Sequence, residues 1–296
     1  MEKTKKKSSS VMANWLMILL FAFLSLYVII TIMPVLWAAI SSFKDKNAFY
    51  DEIFSFPTKL PGEHLFSNYV EAYEKMTYMT TKMVEVSVWG QLGNSLLYVA
   101  GSMIVQTFTP CLVAYVVARY DYKFLKILYA INIITMALPI IGALPAEVQM
   151  VKALNLDQKV WGLWILKTHF LGMGFLIFHA QFSMIPKDYT EAATVDGASP
   201  FRIMTQIIMP LAWSTISTML LLNFITYWNE YQTPLLYMET QPVLAIGIYS
   251  FYTSYRVTNG AVKIAGLIML TIPMIIVFII FQDKLMANLS VGGIKG

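Results

Sequence analysis

The sequence is poor in charged residues and nearly devoid of cysteine. Only 13% of its 296 residues are Asp, Glu, Lys or Arg, well below the ~25% typical of soluble domains. Its single cysteine, Cys111, has no partner in the chain for a disulfide and lies in an apolar run, so we interpret it as a small core residue. Because 57% of the residues are apolar, the composition predicts a membrane protein.

The sequence also lacks the short motifs of common catalytic and nucleotide-binding sites. It contains no Gly-x-x-x-x-Gly-Lys-Ser/Thr loop, no His-Glu-x-x-His pair and no Gly-x-Ser-x-Gly turn. The three histidines, His64, His169 and His179, are too scattered for an obvious metal site. We therefore predict a non-enzymatic chain that binds no metal or cofactor itself.

The basic residues are too few and too dispersed for a nucleic-acid partner. The net charge is +4, and no basic run interleaves with aromatic residues. Membrane topology explains the basic residues better, and membrane lipid is the expected neighbour.

Apolar runs of about 20 residues, enough to cross a ~30 Å hydrocarbon core, predict an all-α protein with six transmembrane helices. The runs lie at 14–37, 94–118, 125–147, 160–182, 211–236 and 264–285. Residues 1–13 would then be an N-terminal tail, and residues 14–296 one transmembrane domain with an external loop at 38–93.

Basic residues favour one orientation of these helices. They cluster in the N-terminal tail and in the short second connection: Lys3, Lys5, Lys6, Lys7, Arg119, Lys123 and Lys126. Since short cytoplasmic segments are enriched in Lys and Arg, the N-terminus is predicted to be cytoplasmic. Six spans return the C-terminus to the same side.

The third run carries helix-breaking residues. Pro139, Gly142 and Pro145 fall within seven positions, which removes backbone donors and favours a kink. A bent helix could line a cavity. The alternative is that membrane helices simply contain more Pro and Gly than soluble ones.

Residues 185–210 form a polar segment between two apolar runs. Gly197 predicts the end of one short helix, and Ser199-Pro200 predicts the N-cap and first position of a second. Small alanines and the carboxylates of Glu191 and Asp196 would suit a partner's groove. On physical grounds alone, a solvated or interfacial connection explains the segment as well.

The order of several motifs resembles the ABC importer permeases of the carbohydrate-uptake family, which includes the smaller permease subunit of the maltose transporter. The motifs are Asn94-Ser95, Ile185-Pro186-Lys187, Glu191-Ala192-Ala193, Asp196-Gly197-Ala198-Ser199, Pro210, Trp228-Asn229-Glu230-Tyr231 and Gly292-Gly293-Ile294-Lys295-Gly296. The similarity covers about residues 90–296.

This resemblance implies a type I ABC importer permease fold whose 185–210 loop docks on a cytoplasmic ATPase. Glu191, Ala192, Ala193, Asp196 and Gly197 would then lie at the joint, with Gly197 forming the turn and the alanines packing closely. ATP and Mg²⁺ would bind to the ATPase.

The resemblance also implies partners and a location. The chain would work with a second homologous permease, two ATPases and an extracellular solute-binding protein that delivers a sugar, in the plasma membrane of a prokaryote. A permease for a non-carbohydrate solute, a self-sufficient secondary transporter and a non-transporting assembly protein are the alternatives. A secondary transporter would need carboxylates deep in the spans, where the sequence offers only Glu147 and Glu230, both near span ends.

Candidate substrate or gating residues are Lys167, Trp228, Asn229, Glu230 and Tyr231. A lysine within a span is a functional candidate by default, although its long side chain can reach the interface instead. The cluster that starts at Trp228 combines aromatic and hydrogen-bonding groups suited to sugars, or forms part of an interfacial aromatic belt.

The external loop at about 237–262 contains Tyr249, Phe251, Tyr252 and Tyr255 beside Gly247. In the maltose relative the corresponding loop reaches into the binding protein, so the resemblance implies that Tyr249, Phe251 and Tyr252 contact such a protein. Exposed aromatic residues suit a protein interface, but they suit the membrane surface equally.

Overall fold

The computed structural model describes residues 2–59, 61–138, 142–254 and 259–291, with side chains between residues 15 and 280. Pro139, Tyr255 and the predicted C-terminal motif from Gly292 to Gly296 lie outside the described residues.

The described chain is mostly helical. The helices are α1 Glu2–Ser41, α2 Lys46–Asp51, α3 Ser67–Lys75, α4 Val88–Arg119, α5 Lys123–Ala137, α6 Leu144–Ala153, α7 Val160–Leu166, α8 Met173–Met184, α9 Asp188–Val195, α10 Pro200–Ile203, α11 Met209–Leu211, α12 Trp213–Asn229, α13 Gln232–Tyr237, α14 Leu244–Thr253 and α15 Gly260–Val291. A π-helical turn, Met204–Ile208, joins α10 to α11. Strands β1 Tyr78–Met79 and β2 Glu85–Val86 form an antiparallel pair, in register Tyr78 with Val86.

Three helical segments among the described residues are long and apolar enough to cross a membrane: Trp15–Ser41, Val88–Arg119 and Gly260–Ile280. They match the first, second and sixth predicted runs. The fifth run corresponds to a fourth candidate, in which Pro200–Leu211 and Trp213–Asn229 meet at a bend of 76°.

The third and fourth predicted runs are not continuous helices. In the third, α5 ends at Ala137 and α6 begins at Leu144, with Gly142 at φ +80°. In the fourth, α7 ends at Leu166 and α8 begins at Met173, with Gly172 at φ +120°. Glycine adopts these positive φ values without the steric cost that other residues meet, and a right-handed helix cannot continue through them. The predicted kink in the third run is therefore a full interruption.

The chain divides into two compact units, the first comprising Met1–Lys75 with Ser254–Met269. The buried Lys44 side chain stabilises the loop around it. Its ammonium donates to the backbone carbonyls of Glu52 at 2.5 Å and Ile53 at 2.8 Å. The buried Asn68 amide donates to the carbonyls of Ser42 and Lys44, at 2.8 Å each. These bonds satisfy loop carbonyls that would otherwise be unpaired away from water.

The second unit comprises Met76–Thr253 with Leu270–Gly296 and is built around α4. Helices α7, α8 and α12 pack against α4. At Gly101 an added Cβ would lie 2.0 Å from the Trp164 ring, so the indole fills the space that the missing side chain leaves. Cys111 is fully buried among apolar residues, as predicted.

Candidate functional site

Helix α9 is a short polar helix with a well-defined end. Asp188 and Glu191 lie in its first turn, where carboxylates interact favourably with the helix dipole. After Val195 the chain turns at Gly197, which has φ +78°. The Gly197 amide donates to the Thr194 carbonyl at 3.0 Å and the Ala198 amide to the Ala193 carbonyl at 2.9 Å. This pair of bonds is a Schellman motif, so the predicted glycine stop is confirmed.

The second short helix begins where the sequence predicts. Ser199 is its N-cap, and the Ser199 hydroxyl accepts from the Arg202 amide at 3.4 Å. Pro200 occupies the first helical position, where its missing N–H costs nothing. The π-helical turn then carries the chain through Pro210 to the bend before α12. Single π-helical turns are frequent at functional sites.

The inner face of this segment is anchored in the core of the second unit. Ala193, Ile203 and Ile208 are buried in one apolar cluster with Phe182 and Ile216, which belong to α8 and α12. Because protein interiors are close-packed, a displacement of α9 is transmitted to the helices behind it. Ala193 thus packs against its own chain and does not offer surface to a partner.

The outer face of the segment is exposed and mixes apolar with acidic groups. Val195 is 87% exposed and Phe201 72% exposed. Glu191, Ala192 and Asp196 are also exposed. Exposed apolar side chains beside acidic ones make this face a candidate protein interaction site.

A polar cluster joins two of the predicted substrate or gating residues. Lys167 follows α7, and its ammonium lies 2.6 Å from Glu230 Oε1 and 2.9 Å from the Thr233 hydroxyl. The Tyr98 hydroxyl donates to Glu230 Oε2 at 2.6 Å. The Thr233 hydroxyl also bonds Glu230 Oε1. The Lys167 and Glu230 side chains are only 15% and 20% exposed.

The hydrogen bonds of this cluster connect three parts of the second unit. Tyr98 belongs to α4, Lys167 follows α7, and Glu230 and Thr233 lie at the α12–α13 junction. Buried charges are stable only when paired and hydrogen-bonded, and each Glu230 oxygen has a donor here. Sequence reasoning missed Tyr98 and Thr233. A tyrosine within an apolar run is a usable signal, since a buried phenol needs a partner.

The other residues of the Trp228 stretch point to different places. Trp228 is buried and its ring stacks on Phe224, with centroids 5.5 Å apart. The exposed Asn229 donates to the Ile225 carbonyl of its own helix at 2.8 Å. Tyr231 stacks on Tyr249 at 4.6 Å. These side chains do not form one aromatic platform, and their contact with a sugar remains a prediction.

Helix α14 carries the three predicted binding-protein contacts. Tyr249 and Tyr252 are about half exposed, whereas Phe251 is buried and does not reach the surface. The start of α14 is held by the Asn94-Ser95 motif. The Ser95 hydroxyl accepts from the Leu244 amide at 2.6 Å, and the Asn94 amide donates to the Pro242 carbonyl at 3.1 Å.

The fold is that of an ABC importer permease. It matches the crystal structure of a bacterial ABC transporter involved in the import of the acidic polysaccharide alginate, with a TM-score of 0.71. The match covers 90% of this chain and 95% of that one, at 20% sequence identity.

Residues 111–290 match the family of binding-protein-dependent transport system inner membrane components, and the chain belongs to this family. It is therefore the non-catalytic, multi-pass inner-membrane component of an ABC transporter complex that includes a binding protein and an ATPase. Subunits of this family typically bind no cofactor.

Several relatives are named as carbohydrate permeases. The chain is 26% identical over 276 residues to a diacetylchitobiose uptake system permease of Streptomyces coelicolor, which covers 92% of this chain and 86% of the relative. It is 25% identical to an arabinooligosaccharides transport system permease of Halalkalibacterium halodurans, covering 98% and 100%. A maltodextrin transport system permease of Bacillus subtilis is 25% identical, covering 93% and 95%. The predicted resemblance to carbohydrate-uptake permeases is confirmed.

Proposed function

We propose that this chain is the permease subunit through which an ABC importer takes up a sugar or oligosaccharide delivered by an extracellular binding protein. The observation that carries the proposal is the α9 segment, whose inner face is buried in the core and whose outer face is exposed. The relatives that transport diacetylchitobiose, arabinooligosaccharides and maltodextrin support the choice of a carbohydrate.

In this proposal α9 is the coupling helix. The Glu191 and Asp196 carboxylates pair with basic residues of the ATPase, and Val195 and Phe201 fill apolar recesses there. Ala192 allows close approach, and the Gly197 turn fixes the angle between α9 and α10. ATP and Mg²⁺ are held by the ATPase subunits.

Movement of the ATPases would reach the spans through the buried side of the segment. Ile203 and Ile208 transmit it to α8 and α12. ATP favours one arrangement of the complex because the ATPase subunits bind ATP more tightly in that arrangement than in the other. The 76° bend at the start of α12 gives the displaced segment a defined pivot.

The proposed assembly has two different permeases above two ATPases, in a prokaryotic plasma membrane. Each permease would have six spans and cytoplasmic termini, in the type I importer arrangement. The interrupted third and fourth runs can still cross the membrane, because irregular backbone is tolerated within a bilayer where other parts of the protein cover it. Here the buried Asn132 of α5 accepts from the Gly172 amide at the second interruption, at 2.6 Å.

The structure gives a secondary transporter little support. Such a protein needs a carboxylate free to bind the coupling ion within the spans. Glu230 is engaged by Lys167, Tyr98 and Thr233, and Glu147 accepts from the Tyr237 hydroxyl at 2.9 Å. Uptake of a non-carbohydrate solute by the same machinery is an outcome that the uptake assay distinguishes.

The test is ATP-dependent uptake by the complete complex in proteoliposomes, with labelled oligosaccharides, an amino acid and a peptide as substrates. We expect uptake of an oligosaccharide alone, and expect Glu191→Lys to abolish both uptake and stimulated ATP hydrolysis. Glu63→Lys, the same charge reversal at an exposed residue of the first unit, is the control. Uptake by Glu191→Lys at the wild-type rate would refute the coupling role, and uptake of only the amino acid or peptide would refute the sugar assignment.

A further inference from the structure

A cavity of about 320 Å³ opens where α4 ends and α5 begins. Its basic lining residues are Arg119, Lys126, His179 and Lys187, and Asp121 is its acidic one. The side chains come from the end of α4, the turn that follows it, the first half of α5, the α8 helix and the residue that precedes α9. The volume far exceeds the ~10–15 Å³ that a cavity needs, by the same measure, to hold one water molecule.

The Arg119 guanidinium indicates that the cavity receives a ligand. Its Nε and Nη2 atoms are buried, and neither has a hydrogen-bond partner among the described residues. Buried donors without acceptors cost free energy, more so on a charged group, and they are rare in folded proteins. Guanidinium presents its N–H groups as a planar fork that matches the oxygens of a phosphate or carboxylate.

The charges around the cavity favour an anion. Lys126 forms a salt bridge with Asp121 at 2.7 Å, and this hydrogen bond lowers the pKa of the Asp121 carboxyl below its ordinary value. That pair is neutral at physiological pH. With Arg119 and Lys187 also positive, the charged residues that line the cavity have a net charge of +2 when His179 is neutral.

The aromatic residues beside the cavity are typical of the membrane–water interface. Tyr122 and Phe124, at the start of α5, are 66% and 68% exposed. Tyr120, which lines the cavity, stacks on Tyr122 with centroids 6.3 Å apart. Amphipathic rings are enriched at the depth of the lipid headgroups. At that depth the abundant anion is a phosphate ester, and basic pockets between membrane helices bind such headgroups.

We propose that this cavity binds the phosphate group of an anionic phospholipid. The Arg119 fork donates to two phosphate oxygens, and the Lys187 ammonium supplies the second charge from the opposite element. Tyr120 and Tyr129 flank the headgroup. The site is separate from the Lys167–Glu230 cluster and does not depend on the coupling role of α9.

The test measures lipid retained on the complete transporter complex by native mass spectrometry after delipidation. Phosphatidylglycerol, phosphatidylcholine and soluble glycerol 1-phosphate are added separately. The variants are Arg119→Gln, Arg119→Lys and Lys187→Gln. Lys152→Gln, which removes a charge from an exposed residue of α6 outside the cavity, is the control. Because two Arg119 nitrogens lack internal partners, Arg119→Gln is expected to fold and to co-purify with the ATPase.

We expect phosphatidylglycerol to outlast phosphatidylcholine on the wild-type complex. Losing one charge-assisted contact should weaken the most tightly held phosphatidylglycerol about tenfold in Arg119→Gln and in Lys187→Gln. Arg119→Lys, which keeps the charge but loses the fork, should fall between, and Lys152→Gln should match wild type. Equal retention of both lipids, or wild-type retention by the glutamine variants, would overturn the proposal. Retention of glycerol 1-phosphate without retention of phosphatidylglycerol would refute the claim that the bound phosphate belongs to a lipid.

Discussion

Replacing Lys167 with methionine would leave the Glu230 carboxylate without its cationic partner. Breaking a fully buried ion pair by removing one member costs about 3–5 kcal/mol. Lys167 and Glu230 are 15% and 20% exposed, and Tyr98 and Thr233 still donate to the carboxylate after the change. We therefore expect a smaller loss, of about 2–3 kcal/mol.

The double variant Lys167→Met/Glu230→Gln separates the ion pair from simple packing. The glutamine carbonyl can still accept hydrogen bonds while the buried charge is gone, so the double variant should be more stable than Lys167→Met alone. A coupling energy of about 1–2 kcal/mol is expected from the thermodynamic cycle.

The assay is the melting temperature of the purified complex, followed by intrinsic fluorescence. At about 2–4 °C per kcal/mol for a chain of this size, Lys167→Met should melt roughly 5–10 °C below wild type. Lys152→Met, at an exposed position of α6, is the control and should melt within about 1 °C of wild type. A Lys167→Met complex that melts like wild type but has a raised KM for uptake would refute the structural role and assign Lys167 to the substrate.

Three further predictions concern backbone geometry and buried polar contacts. At Gly197 an added Cβ would meet no atom within 4 Å, so backbone φ strain is the main cost of a side chain there. Gly197→Val should therefore lose coupled ATP hydrolysis, through φ strain of about 1–2 kcal/mol, whereas Gly197→Asn should retain it. Equal ATPase activities of the two variants would contradict this prediction. Ser95→Ala leaves the Leu244 amide without its acceptor and should lower stability by about 1–3 kcal/mol, with faster amide exchange at the start of α14 as the check. Asn132→Leu removes the acceptor of the Gly172 amide and should destabilise the complex by a similar ~1–3 kcal/mol, which thermal unfolding measures.

Local signals in the sequence predict the backbone of the 185–210 segment well. A glycine followed by Ser-Pro between short polar runs specifies a stop and a restart of helix, and Gly197 and Ser199 play those parts in the structure. These interactions involve residues within five positions of one another. Tertiary packing therefore has little scope to override them.

The sequence did not predict the contacts between residues that are far apart in the chain. Lys167 and Glu230 are both recognisable as unusual residues, but their contact joins positions 63 apart and depends on how α7 and α12 meet around α4. The burial of Phe251 and Ala193 has the same origin, because exposure on a short helix depends on what packs beside it. Hydropathy likewise finds apolar runs but not the interruption at Gly172, and the proline and glycine signal around Gly142 predicted only a kink where the run is fully interrupted.

The most direct test of the coupling claim is site-specific crosslinking from α9 in the assembled complex. The chain suits this measurement because its one native cysteine, Cys111, is fully buried. Cysteines introduced at the exposed Ala192 and Asp196 should crosslink to the ATPase subunit through a short reagent, in a manner that changes on ATP binding. A cysteine at Glu63 should not. Absence of an ATPase crosslink from both α9 positions, in a complex that still imports its substrate, would contradict the assignment of α9 as the coupling helix.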